Sequence, residues 1–204
     1  MEELRLVNSR VSSQAIEVLL DQLNERNYVK RLSLVKANIG GEKSIAKLCT
    51  LIAGSRHLIE LDLSWNGLRP NNIQPLLECL AENRLIQNLN LSWNNLQIAE
   101  MKQVEVGTTP RLHGDSAHVV SKVTRIIKYN KNLLHFNISH CGLTEQAVRD
   151  IGASLRRGKS ILSLHLSGNP GITQEVKMFL HERIRCAEVH RNDLFDAAKG
   201  SPTK

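Results

Sequence analysis

Aromatic side chains are scarce in this sequence, with three Phe, two Trp and two Tyr making up 3% of 204 residues. With 41% hydrophobic content there is still enough apolar material for a sizeable core, but it must be built from Leu, Ile, Val and Ala. That favours many thin, similar layers over one bulky centre. No apolar run approaches the roughly 18 residues of a membrane span, so no membrane association is expected. The opening segment MEELRLVNSRV lacks an apolar stretch, so no secretory signal is expected. Cysteine is sparse as well. Cys49, Cys79, Cys141 and Cys186 are widely spaced, with no CxxC pair and no His cluster beside them. Reduced thiols in the cytoplasm are therefore expected, rather than disulfides or zinc.

Catalytic signatures are missing too. The histidines at 57, 113, 118, 135, 140, 165, 181 and 190 form no HExxH or other metal spacing. There is no GxSxG, GxxxxGK[ST] or GxGxxG, and SGNPG and ANIGG read as turns at strand ends, not as phosphate loops. Cys141 occupies a repeat position that gives it a structural role in preference to a nucleophilic one. No catalytic residue, cofactor or metal is expected, and the chain is read as non-enzymatic.

What is present is a repeat. A short L-x-L core recurs as Leu4/Leu6, Leu32/Leu34, Leu61/Leu63, Leu89/Leu91, Phe136/Ile138 and Leu164/Leu166. Successive first positions differ by 28 (32−4), 29 (61−32), 28 (89−61), 47 (136−89) and 28 (164−136). Four intervals share one period and the fifth carries 19 extra residues (47−28). The last four cassettes fit L-x-x-L-x-L-x-x-N/C-x-L, the sixth with one extra residue before its closing Ile172. The Asn/Cys slot holds Asn66, Asn94, Cys141 and Asn169, followed by Leu68, Leu96, Leu143 and Ile172. This slot needs a side chain that pairs backbone groups where the strand turns away. The first two cassettes depart, with Ser9 and Ala37 in the slot, and Asn38 is expected to substitute in the second.

Between cassettes, SSQAIEVLLDQLNERN, GEKSIAKLCTLIAGSR and NNIQPLLECLAENR place apolar residues at i, i+3, i+4 and i+7. Ser13 with Glu17 forms a loose N-terminal capping signal, and Thr144 and Thr173 are stronger N-cap candidates. Strand–turn–helix units of this length bury their apolar faces only by stacking. The expected architecture is an α/β right-handed solenoid of about six repeats, with a concave parallel sheet, convex helices and a C-terminal capping helix. Val176, Phe179, Leu180 and Ile184 fit that cap. The repeat domain is placed at 1–185, and 186–204 is read as the end of the capping helix and a disordered tail. No matching N-terminal cap is legible, so a partner covering the first repeat, or continuation of a longer array, is expected.

The period, the full helix per repeat and the Asn/Cys slot make the chain resemble the ribonuclease-inhibitor-like class of leucine-rich repeats. Members of that class include ribonuclease inhibitor, NOD-like receptor sensor regions, RanGAP, tropomodulin and axonemal regulatory-complex subunits. The resemblance implies binding of another macromolecule. A RanGAP-like activity would imply an exposed arginine on a strand-to-helix loop, where Arg10 and Arg69 lie.

The pattern breaks in two informative places. The extra residues, read as an inserted loop at about 98–117 with a helix resuming near Val119, are open to two readings: a binding loop or a tolerated surface insertion. The net charge of +7 is uneven. Lys122, Arg125, Lys128 and Lys131 recur every three residues along one side of a helix, with Val119, Val123, Ile126 and Ile127 opposite. That stripe reads either as a solvated face or as a convex patch for an acidic partner. Nucleic acid is not expected, because no nucleic-acid-binding motif accompanies the stripe.

On the concave side, alternation exposes Arg5, Ser33, Asp62, Asn90, Asn137 and His165 in one row. Val7, Val35, Ser64, Ser92, Ser139 and Ser167 form the next row. The strand-to-loop row reads Asn8, Lys36, Trp65, Trp93, His140 and Gly168. Both tryptophans of the chain sit there on adjacent turns, either as an interface or folded over the Asn ladder. Asp62, Trp65, Asn90, Trp93, Asn137, His140 and His165 are the candidate partner-binding residues. The expected function is a protein–protein interaction scaffold inside a larger hetero-complex, such as a ciliary axoneme or cytoskeletal assembly. The alternatives are a small-GTPase regulator or a ligand-sensing repeat module.

Overall fold

The computed structural model describes residues 2–9, 11–96, 114–158 and 160–182. Six strands, β1 (Glu3–Val7), β2 (Arg31–Val35), β3 (Glu60–Asp62), β4 (Asn88–Asn90), β5 (His135–Asn137) and β6 (Ser163–His165), pair in chain order. Every pairing is parallel, and its register aligns Leu4, Leu32, Leu61, Leu89, Phe136 and Leu164. Parallel neighbours need a crossover. Here it is supplied by α1 (Ser13–Arg26), α2 (Glu42–Gly54), α3 (Pro70–Glu82), α4 (Gly114–Tyr129) and α5 (Glu145–Ser154), with α6 over 174–182 closing the described stack. The register shows that the 19 extra residues do not interrupt the sheet, since β4 and β5 pair as directly as any other neighbours.

The core is a continuous slab between sheet and helices. The inward residues of every strand meet the apolar helix faces, for example Ile16 and Leu20 on α1, Leu48 and Leu51 on α2, and Val119, Val123, Ile126 and Ile127 on α4, all buried. Phe136, where other cassettes carry Leu, is fully buried and is the largest side chain in the slab. No helix among the described residues is long and apolar enough to cross a membrane.

Two series of buried and partly buried polar side chains tie the turns together. At the strand-to-helix edge, Asn66, Asn94 and Asn169 are nearly solvent-free. Each reaches across to the preceding repeat as well as bonding its own turn. Asn94 Oδ1 accepts from the amides of Asn66 and Leu68, both at 3.0 Å, while its Nδ2 donates to the carbonyls of Leu63 and Leu91. Asn66 likewise serves Ala37 and Leu34, and Asn169 serves Cys141, Leu143 and Ile138. Cys141 takes the same slot with one donor, Sγ to the Leu91 carbonyl at 3.2 Å, and burial pushes its thiol up to about 12. The expected substitution by Asn38 does not occur. Asn38 is exposed at φ 58° and donates to Ser13 Oγ, and the second turn is satisfied from outside by Asn66.

The second series lies at the helix-to-strand edge. Asn27 Nδ2 donates to the Gly54 carbonyl at 2.6 Å, Asn83 Nδ2 to Ile52, and Asn130 Nδ2 to Leu80 and Asn83. Ser55 Oγ, Asn83 Oδ1 and Asn130 Oδ1 each accept two amides from the start of the next strand segment. Ser160 Oγ closes the series on the Asn130 carbonyl at 2.6 Å.

Helix starts follow the capping logic, with one shift. Thr144 Oγ1 accepts from Ala147 and Thr173 Oγ1 from Val176, as their positions predict. For α1 the cap is Ser12, whose Oγ accepts from Ala15, while Ser13 is already the first helical residue. Helix α4 begins at Gly114, inside the span assigned to the inserted loop, so helical structure resumes before Val119. The remainder of that loop, at 97–113, lies outside the described residues, as do Ile184, Cys186 and the tail at 186–204. In the capping helix Val176 is fully buried, and Phe179 and Leu180 close over Gly152 of α5.

Candidate functional site

All six residues of the strand-to-loop row adopt the left-handed conformation. Asn8, Lys36, Trp65, Trp93, His140 and Gly168 have φ of 51°, 52°, 61°, 57°, 53° and 70°. Only Gly and, less readily, Asn enter that region without penalty, and an ordinary L-residue loses roughly 1–2 kcal/mol there. The fold therefore favours Asn or Gly in this slot, and the sequence supplies Trp twice.

The three aromatic residues form one stack. Trp65 and Trp93 have ring centroids 4.3 Å apart at 11°, and Trp93 and His140 are 3.8 Å apart at 7°. The spacing follows from strand separation, since a parallel sheet sets its turns about 4.8 Å apart. Gly168 makes the far end possible, because a Cβ there would sit 2.0 Å from the His140 ring. Trp65 and Trp93 remain 48% and 43% exposed. Stacking covers the ring faces within the pile, so the edges of three rings form a flat ribbon across three repeats.

Below the ribbon lies the concave groove. Asp62, Asn90 and Asn137 each use Oδ1 to hold the amide of the serine two residues on, at 2.9–3.0 Å. Half of each side chain is thus committed to shaping the turn. Asn90 Nδ2 also donates to Asp62 Oδ2 at 3.0 Å, and His165 Nε2 lies 2.9 Å from Ser163 Oγ. A further row was missed from the sequence: Glu3, Arg31, Glu60, Asn88 and His135, one place before the first core residue, line the same groove, and Ser163 pairs in register with His135. Strand alternation carries that signal, because residues on both sides of an inward Leu point outward. The groove is split by charge. Its first half carries Glu3, Arg5, Arg31, Glu60 and Asp62, whereas its second half carries Asn88, Asn90, His135, Asn137 and His165. Arg5 hydrogen-bonds Glu3 and, with Arg31, holds that carboxyl below its usual range, and Lys30 does the same for Glu2.

The convex basic stripe is not the uniform patch that its spacing predicts. Lys122 pairs with Glu78, and Arg125 lies 3.9 Å from Glu82, both acids being on α3. Those partners sit 44 and 43 positions earlier (122−78; 125−82) and are invisible to local charge counting. Lys131 lies two residues past the end of α4, so it is not on that helix face. Lys128 is partly buried, and among the described residues neither it nor Lys131 forms an ion pair. Arg69 is exposed at the start of α3, its amide held by Asn72 Oδ1 at 2.7 Å, and Arg10 lies outside the described residues.

Comparison with known proteins places this geometry. A family model described as leucine-rich repeat matches residues 54–74, the stretch running from the end of α2 through β3 and Trp65 into α3. No match is found among curated proteins. Among solved structures, the tropomodulin C-terminal domain from Caenorhabditis elegans is similar with a TM-score of 0.60 at 14% identity, over 90% of this chain and 98% of that one. The leiomodin-1 actin-binding site 2 is similar with a TM-score of 0.60 at 10% identity, over 95% and 100% of the two chains. The shared feature is a fold, an α/β leucine-rich-repeat architecture.

Proposed function

We propose that the chain is a non-catalytic interaction module of the cytoplasmic cytoskeleton, one component of a hetero-complex. It engages a protein partner through the Trp65–Trp93–His140 ribbon and the groove below it, which Asp62, Asn90, Asn137 and His165 line. The observation that carries this reading is the ribbon itself. Two large indoles occupy left-handed positions that favour Asn or Gly, and both stay nearly half exposed. Local stability does not account for such a choice, whereas Trp dominates the energetics of interfaces. The groove is preformed by Asx turns and by parallel pairing, so binding orders little of the chain.

The cytoskeletal part of the proposal draws on the fold likeness to tropomodulin and to an actin-binding region of leiomodin-1. Actin is therefore the first partner to test. A ciliary axonemal complex is the second, supported by the chain's net positive charge and the acidic character expected of a complementary surface. The ribonuclease-inhibitor-like subtype belongs to the same proposal and is supported by one full helix per repeat of 28–29 residues.

Co-sedimentation with filamentous actin and, in parallel, with microtubules tests both parts. The wild-type chain is expected to pellet with one filament. Trp65→Ala/Trp93→Ala should weaken retention by about thirtyfold or more, the scale of one lost hot spot of about 2 kcal/mol. If neither filament retains the wild type, the cytoskeletal assignment is wrong. If retention survives the double substitution unchanged, the ribbon is not the contact.

A further inference from the structure

The Asn/Ser series at the helix-to-strand edge has a charged counterpart beside it. Next to Asn27, Ser55, Asn83 and Asn130 in sequence stand Arg26, Arg56, Arg84 and Lys131, and the following turn carries Arg156 and Arg157. All six cations are exposed. Among the described residues, none of them lies within ion-pair distance of a carboxylate. Glu25 and Glu82, which stand beside Arg26 and Arg84 in sequence, are otherwise engaged: Gln22 donates to Glu25 and Arg125 faces Glu82.

The loops that carry these cations are pinned to one another. Asn27 bonds Gly54, Asn130 bonds the Asn83 carbonyl at 3.1 Å, Asn132 Nδ2 donates to the carbonyl of Arg84 itself, and Ser160 bonds Asn130. Gly158, directly after Arg157, lies so close to Ile127 that a Cβ would meet its carbonyl oxygen at 2.4 Å. Five consecutive turns therefore each carry a cation along one edge, spaced by the stacking of the repeats. The interval lies between the strand spacing of about 4.8 Å and the helix packing distance of about 8–10 Å. An extended peptide repeats its same-side residues every 6.6 Å or so, within that range.

We infer that this edge is a second docking surface, a ladder of Arg26, Arg56, Arg84, Lys131, Arg156 and Arg157 that takes an extended acidic segment of a protein partner. Charge complementarity selects acid, and the guanidinium forks suit carboxylates. A nucleic-acid strand fits less well. Tyr28 and Tyr129 are the two exposed tyrosines on this edge, Tyr28 rests 6.0 Å from the His57 ring, and the Arg84 and Arg156 turns bring no aromatic. Single-strand binders supply a ring for successive bases.

Anisotropy titration of the full chain with a labelled oligoglutamate of about twelve residues, roughly 40 Å when extended, tests the ladder. Arg56→Glu/Arg84→Glu is compared with the charge-matched Lys43→Glu/Lys177→Glu, which lies off the edge. The edge double should lose about tenfold or more in affinity and the control less than about threefold, with Arg56→Ala/Arg84→Ala in between. Wild-type affinity should also fall from about 0.1 M to about 1 M salt, as screening shortens from about 10 Å to about 3 Å. Equal losses in the two glutamate doubles would mean a response to net charge alone and overturn the site, as would no binding. Tighter binding of oligouridylate with the same residue dependence would overturn the peptide assignment in favour of nucleic acid. Trp65→Ala/Trp93→Ala should leave this titration unchanged, which separates the ladder from the ribbon.

Discussion

The strand-to-helix edge and the helix-to-strand edge place displayed residues in the same way and differ in what they display. On the first, Trp65, Trp93 and His140 immediately precede Asn66, Asn94 and Cys141. On the second, Arg56, Arg84 and Lys131 immediately follow Ser55, Asn83 and Asn130. In both, a side chain committed to backbone hydrogen bonds fixes its exposed neighbour. The backbones differ. The aromatic row is left-handed throughout, whereas Arg56, Arg84 and Lys131 are absent from the positive-φ residues. Aromatic display thus carries a conformational cost that cation display avoids, and this marks the two edges as distinct devices.

The largest expected effect breaks the comparison at its buried members. Asn94→Ala removes two acceptor and two donor bonds in a nearly dry turn. At roughly 1–3 kcal/mol per unsatisfied buried group, partly relieved by relaxation, the loss should be about 4 kcal/mol. Asn83→Ala removes three bonds at a partly buried position, where water can replace some of them, and should lose about 2 kcal/mol. Urea unfolding of both variants measures the order. A larger loss for Asn83→Ala would show that the second series, not the Asn/Cys slot, holds the stacked repeats together.

Next comes the end of the aromatic stack. Gly168→Ala places a methyl on the His140 ring and an L-residue at φ 70°. The ring can swing aside, so the expected loss is about 2 kcal/mol, combining left-handed strain with the broken Trp93–His140 contact. Near-ultraviolet circular dichroism should change along with the melting temperature. Unchanged aromatic ellipticity would mean that the stack does not depend on Gly168.

The first edge was legible in the sequence and the second was not, for physical reasons. The Asn/Cys slot recurs at a fixed offset from the core leucine because the left-handed turn before it admits no slippage. The repeat register alone makes Trp65 and Trp93 neighbours. At the other edge the series mixes Asn and Ser and slips in offset. Asn27 lies five places before Leu32, while Asn83 lies six before Leu89. A search for identical residues at identical spacing passes over it. Ion pairing was hidden for a related reason: Glu78 neutralises Lys122 from the neighbouring helix, so a charge count within one helix overstates the field around α4. The row from Glu3 to Ser163 was legible in principle, since alternation alone places it beside Arg5 and Asp62.

The smallest expected change sharpens the comparison most. Trp65→Gly relieves roughly 1–2 kcal/mol of left-handed strain and forfeits roughly 0.5–1.5 kcal/mol of stacking on Trp93. It also adds chain entropy to the unfolded state, worth about 0.5–1 kcal/mol. These terms nearly cancel, so stability should move by less than about 1 kcal/mol in either direction in thermal or urea unfolding. If the indole served as a lid over Asn66, water would enter the turn and the loss would exceed about 2 kcal/mol. A neutral result leaves Trp65 without a structural duty proportionate to its strain and exposure. Its place in the sequence is then explained by what touches the ribbon from outside.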